Sequence, residues 1–104
     1  MRPEFEDIAV VKNTDLNRFE MTIDGYVAFI DYKEKDQVIA LIHTESPVEL
    51  AGRGVATALI EKTLLYLEEN EYTLLPLCPL VFAYIKQNLR WLLIVREDFR
   101  AKFD

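Results

Sequence analysis

Leu50-Ala51-Gly52-Arg53-Gly54-Val55-Ala56 stands between a strand-like apolar run and a helix-like one. Two of the chain's three glycines lie in it, Gly52 and Gly54. Glycine lets the backbone turn sharply and lets a ligand approach the main chain with no Cβ in the way. The first amides of a helix have no internal partner, and the helix dipole adds positive potential there. The stretch therefore reads as a strand-to-helix loop suited to an anion. Arg53 adds a full positive charge, and Ala56 and Thr57 keep the first helical turn narrow. A diphosphate fits this chemistry. A glycine pair alone also serves as a simple tight turn. Two other phosphate motifs are excluded: no G-K-[ST] follows, and the third glycine of a dinucleotide fingerprint is missing.

Upstream, the pattern is that of strands. Ile8-Ala9-Val10-Val11 reads as a short strand or an arm, and Asn13-Thr14-Asp15 as a turn. Phe19, Met21 and Ile23 alternate with Glu20 and Thr22, which predicts a strand with one buried face. Asp24-Gly25 is a strong hairpin signal, and Tyr26 to Tyr32 is the return strand. Lys33-Glu34-Lys35-Asp36 reads as a charged turn. Gln37 to Thr44 is a third strand, apolar on both faces and so expected inside the sheet.

Downstream the period changes, after a loop at Ser46 to Leu50. Val55, Ala58, Leu59, Lys62, Leu65 and Tyr66 recur at helical spacing, with Glu61, Glu68 and Glu69 opposite and Asn70 as a stop. Tyr72 to Leu75 is a further strand, ended by Pro76. Cys78-Pro79 opens a second helix, with proline in the first turn, where a missing N–H costs nothing. Leu80, Ala83, Tyr84 and Gln87 mark one side of it. Trp91 to Val95 reads as a strand or docked turn, and Glu97 to Phe103 as a short helix. The fold class is α+β: an antiparallel meander, then β-α-β-α with a right-handed crossover. The layers would be those of a three-layer α/β arrangement.

Bulk properties narrow the function. At 104 residues the chain is sized for a single domain, residues 1–104. The net charge of −6 argues against nucleic acid, which needs a basic face, and suits a cationic partner such as an amine. No apolar run approaches the roughly 18 residues of a membrane span, and Met1-Arg2-Pro3-Glu4 lacks the start of a signal peptide. The expected location is the cytoplasm, which a single cysteine, Cys78, fits. The expected oligomeric state is a monomer or weak homodimer.

Ala51-Gly52-Arg53-Gly54-Val55-Ala56 resembles the Q/R-x-x-G-x-G/A acetyl-CoA signature of the GNAT acetyltransferase superfamily. Ile39 to Glu45, Pro47 to Ala56 and Pro76 to Ile85 together resemble the short YjdJ-type GNAT-like domains in order and spacing, over about residues 16–95. The resemblance implies a pared-down GNAT fold without the early helices that build the usual acceptor wall. It implies that CoA lies where the third strand and the strand at 72–77 splay apart. Backbone groups of Thr44, Glu45 and Ser46 would pair with the pantetheine arm. The amides of Gly52, Arg53, Gly54, Val55 and Ala56 would hold the pyrophosphate. The signature's first position is Ala51, which removes one side-chain phosphate contact, with Arg53 as the compensating charge. Asn88-Leu89-Arg90-Trp91 replaces a His-Pro-Glu-Tyr-like stretch of that subfamily.

The activity implied is transfer of acetyl from acetyl-CoA to a primary amine, on a small molecule or a protein lysine; a CoA-binding module without transfer is the alternative. His43, the only histidine, ends the third strand and suits a general base. Cys78, just before a helix, suits a thiolate nucleophile that would carry acetyl. It equally suits a small buried apolar residue. Tyr84 falls where Ala83 to Asn88 resembles the "fYeklGF" segment of ordinary GNATs, whose tyrosine protonates the departing thiolate. Glu45 is an alternative base acting through water.

Overall fold

In the computed structural model, which describes residues 3–104, five strands form one sheet in the order β1-β2-β3-β4-β5. They are β1 Val11–Asn13, β2 Arg18–Ile23, β3 Tyr26–Lys35, β4 Val38–Glu45 and β5 Thr73–Pro76. The first four pair antiparallel, and β5 pairs parallel to β4. Met1 and Arg2, the start of the segment read as lacking a leader, lie outside the described residues. Helix α1, Val55–Glu69, carries the crossover from β4 to β5, and α2, Pro79–Gln87, follows β5. Among the described residues no helix is long and apolar enough to cross a membrane.

Local chemistry explains most boundaries. Asp24 and Gly25 both take positive φ, 52° and 81°, as the tight β2–β3 turn demands. The β3–β4 turn is a correction. The charged run at 33–36 is not the turn, because β3 continues through Lys35 and the chain reverses at Asp36 and Gln37. Those two residues hold positive φ of 50° and 69° without a glycine. The strand β1 is also shorter and later than the apolar run at 8–11. Only Val11 of that run is in it.

α1 stops where Asn70 caps it, its side-chain amide donating to the Tyr66 carbonyl at 2.9 Å. Glu71 then takes the left-handed conformation, and Tyr72 N–H donates to Leu67 C=O. The buried stripe of α1 is Val55, Ala58, Leu59, Ile60, Thr63, Leu64 and Leu67, so the expected stripe holds through Leu59 and then departs, with Thr63, Leu64 and Leu67 buried in place of Lys62, Leu65 and Tyr66. On α2 the buried side is Val81 and Ile85, whereas Leu80 is exposed. The tail contains no further full strand or α-helix. Leu89–Ile94 and Glu97–Phe103 are 3₁₀ turns, and Val95 alone bridges to Leu74 beside β5. Phe103 stacks on Phe82 with ring centroids 4.2 Å apart, which fixes that tail to α2.

The two helices stand on one face of the sheet, so the α+β fold has two layers where three were expected. Phe19, Met21, Ala28, Ile30, Ile39, Leu41 and Leu74 point into the core beneath them. The other face alternates with these positions and is open. Val27, Phe29, Asp31, Val38, Ala40 and Leu75 are only half-buried there, and Lys33 and Lys35 are exposed. This sidedness positions the site described next.

Candidate functional site

The ladder between β4 and β5 is short. Its last strand pair is Leu41 with Pro76, followed by one more link, Cys78 N–H donating to Leu41 C=O at 2.8 Å. Beyond it β4 continues from Ile42 to Glu45 while β5 has ended and the chain enters α2. The β5-side edge of that stretch is therefore left without a strand partner. A wedge-shaped gap opens at this end of the sheet, between Ile42–Glu45 and the start of α2.

The glycine loop closes the same end. Gly52 and Gly54 hold φ of 79° and 78°. A Cβ built on Gly52 would meet nothing within 4 Å, so backbone conformation, not crowding, demands the glycine there. Gly54 is the N-cap of α1, and the helical ladder begins with Ala58 N–H donating to Gly54 C=O at 3.1 Å. The amides of Val55, Ala56 and Thr57 therefore have no intrahelical acceptor. They front a concavity of about 290 Å³ lined by Ser46, Pro47, Ala51, Gly52, Gly54 and Val55 among others. Helix dipole and amides give this hollow positive potential.

Arg53 does not line the hollow. Its guanidinium reaches the hairpin tip, where Asp24 Oδ2 is 2.7 Å away, with Glu4 at 4.0 Å. The hydrogen bond it donates to Asp24 raises its already high pKa further. The loop is thus fastened from outside by an ion pair, and the backbone amides, not this side chain, face the anion position.

A bulge in β4 sorts the other residues. Asp31 pairs with His43 and Tyr32 with Leu41, so Ile42 is an extra residue with no partner of its own on β3. Without it, His43 would follow Ile39 and Leu41 into the core. With it, Thr44 takes the core side, 7% exposed. His43 and Glu45 turn to the open face, their side chains 58% and 62% exposed. His43 Nε2 lies 3.8 Å from a Glu45 oxygen, and Asp31 is its cross-strand neighbour on the same face. Cys78 is 2% exposed, at the N-cap of α2, and its Sγ is 3.2 Å from Thr44 Oγ1. The expected residues thus gather at one end of the sheet but not as one cluster. Thr44 and Cys78 touch on the core side, and His43 and Glu45 stand on the other.

Tyr84 lies between the helices. Its hydroxyl donates to Glu61 Oε1 on α1 at 2.9 Å. Burial, then this hydrogen bond, pushes the phenol up to about 12. The fold favours the neutral phenol. The stability it adds is complete below the ordinary phenol range near 10 and is lost as pH rises through about 12. Tyr84→Phe is expected to cost about 1 kcal/mol at pH 8, and the gap from the parent protein should narrow by pH 11, as read from urea unfolding at both pH values.

Asp31 and the bulge residue Ile42 were not among the residues expected from sequence. Thr57 was expected only to keep the first helical turn narrow, and its amide also fronts the hollow. Asp31 was out of reach, because its place beside His43 depends on the bulge.

Residues 18–93 match the model of a family described as GCN5-related N-acetyl-transferase. Among curated proteins, none matches the chain.

Proposed function

The chain belongs to the GCN5-related N-acetyltransferase family, and from that premise we propose that it binds acetyl-CoA and transfers the acetyl group directly to a primary amine. The observation that carries this reading is continuity. The unpaired edge of β4 from Ile42 to Glu45 runs straight into the hollow fronted by the Val55, Ala56 and Thr57 amides. The residues present suit the cofactor. An extended pantetheine arm needs main-chain partners along an open strand edge, and a pyrophosphate needs helix-terminal amides approached without a Cβ. Thr44, Glu45 and Ser46 would offer the first, and Gly52 to Thr57 the second.

When bound, acetyl-CoA supplies an activated thioester, so that the amine nitrogen forms a C–N bond as the C–S bond breaks and the thiolate leaves. His43 is the residue we assign to take the amine's proton. It is accessible from the side on which an acceptor can approach, its side chain being 58% exposed on the open face. That proton, passed to solvent or to the thiolate, balances the reaction. Cys78 and Thr44 we read as supports of the wedge's inner wall. A nucleophilic thiol requires access and an adjacent base. Cys78 is buried, and its polar neighbour is a hydroxyl, not His43.

Intact-mass measurement after mixing with acetyl-CoA alone tests this route. Direct transfer predicts no acetyl adduct on Cys78, together with free thiol release once an amine such as lysine amide is added. An adduct that forms and then disappears on adding the amine would replace direct transfer with a two-step route. CoA binding with no transfer to any amine would leave a CoA-binding module.

A further inference from the structure

The open face of the sheet carries opposite charges at its two ends. Next to His43 are Asp31 and Glu45, both on this face by register. Toward the other end, Lys33 pairs with Ala40 and Lys35 with Val38, again on this face. Between them the floor is Val38, Ala40 and Leu75, and these line a groove of about 520 Å³ with Lys33, Lys35 and Arg96 on its walls. Two carboxylates, Glu34 and Asp36, also line this groove, and most of the acidic charge near its basic end is engaged in ion pairs. Glu34 pairs with Lys12 at 2.6 Å, and Asp98 holds Arg96 at 2.7 Å, leaving Asp36 at the turn. At the acidic end, Arg18 is the β2 partner of Asp31 on this face, but it stacks on Phe29 and pairs with Glu20, so that Asp31, Glu45 and Glu20 outnumber it.

His43 stands open on this face, its side chain 58% exposed, and it lines neither the hollow at the glycine loop nor this groove. A small amine would have little to hold it, since small-ligand sites bury most of the ligand. A flat, open, bipolar face instead suits an extended segment of polypeptide.

We propose that the acceptor is a lysine side chain on an extended peptide segment that also carries acidic residues about three to five positions from the lysine, spaced by the roughly 3.3 Å per residue of extended chain. The ammonium group lies between Asp31 and Glu45, within reach of His43. An apolar residue of the segment covers Ala40 and Leu75, and its carboxylates meet Lys33 and Lys35. This inference rests on the acetyl-transfer reading above. It adds the class of acceptor and the residues that select it.

Fluorescence anisotropy with labelled eight-residue peptides tests it without any turnover. One pair places a lysine near one end, an apolar residue in the middle and two glutamates at the other end, in both chain directions. The controls replace the glutamates by glutamines or by lysines. At least one glutamate peptide should bind about tenfold more tightly than its glutamine control, an advantage that falls with added salt. The double variant Lys33→Glu, Lys35→Glu should lose that preference and favour the lysine-rich control. Its transfer of acetyl to lysine amide should be unchanged. Equal binding of glutamate and glutamine peptides, or a preference that survives in the double variant, would overturn the proposal. A CoA melting shift measured alongside separates the two readings. A normal shift with no peptide preference sinks only the acceptor class, whereas no shift sinks the cofactor reading beneath it.

Discussion

Gly54→Val is expected to abolish measurable CoA binding. Gly54 sits at φ 78° and ψ 21°, a left-handed conformation that costs an L-residue about 1–2 kcal/mol and is least accessible to β-branched side chains. Valine would relieve that strain by moving the backbone. Any such movement turns the Val55 and Ala56 amides away from the hollow they front. It also places two methyl groups at the mouth of the anion site. Affinity should fall by more than about 100-fold, because several charge-assisted hydrogen bonds are lost together. Gly54→Asn is the control. Asparagine tolerates left-handed backbone, so this variant should fold and keep part of the affinity. Loss of stability alone cannot mimic the result if circular dichroism shows the valine variant still folded at the titration temperature.

His43→Gln should lower the rate of transfer by about 10²–10⁴, the usual worth of a positioned general base, while CoA affinity stays within about twofold. The side chain is on the open face and more than half exposed, so its removal leaves the core and the Thr44–Cys78 contact intact. Steady-state thiol release with lysine amide reads the rate, and calorimetric titration reads the affinity. A variant that transfers at the parent rate would remove His43 from the chemistry and turn attention to Glu45. A variant that loses both rate and affinity would mean that His43 shapes the wedge itself.

The parts of the fold that were legible in sequence are those where one residue type alone can satisfy the backbone. Asp24-Gly25 and Gly52-x-Gly54 fall in this class, since glycine at positive φ leaves a visible mark. Pro79 opening α2 and Asn70 closing α1 are legible for a different reason: proline loses nothing where the N–H has no helical partner, and the Asn70 side-chain amide donates to the Tyr66 carbonyl. The Asp36-Gln37 turn was not, because the two residues bear positive φ with no glycine to signal it. The α1 stripe shifted because that helix packs on the sheet and on α2 at once. Ile60, which lines a hollow together with Leu80, Ala83 and Tyr84 of α2, is buried along with the sheet-facing residues.

The candidate site divides in the same way. The glycine turn was readable, since Gly52 and Gly54 both hold positive φ, but the direction of Arg53 was not, because its guanidinium pairs with Asp24 on a hairpin distant in sequence. The arrangement around β4 was not. A bulge inserts one residue without changing composition, and Ile42 is an ordinary strand residue in every respect but its register. Yet that one residue decides which face His43 takes. Sequence alternation would group His43 with Leu41, whereas the bulge separates it from Thr44 and Cys78 and brings it beside Asp31.

The account depends most on the hollow between the Ser46–Ala51 segment and the first turn of α1. Isothermal titration of the parent protein with CoA tests it most directly, since heat is released only if the ligand binds. The structure predicts saturable one-to-one binding that weakens with added salt, as an amide-lined pyrophosphate site requires. It also predicts that the shorter thiol pantetheine, which lacks the pyrophosphate, binds at least about 100-fold more weakly. No heat of binding at millimolar CoA, or equal affinity for CoA and pantetheine, would contradict the assignment of the glycine loop.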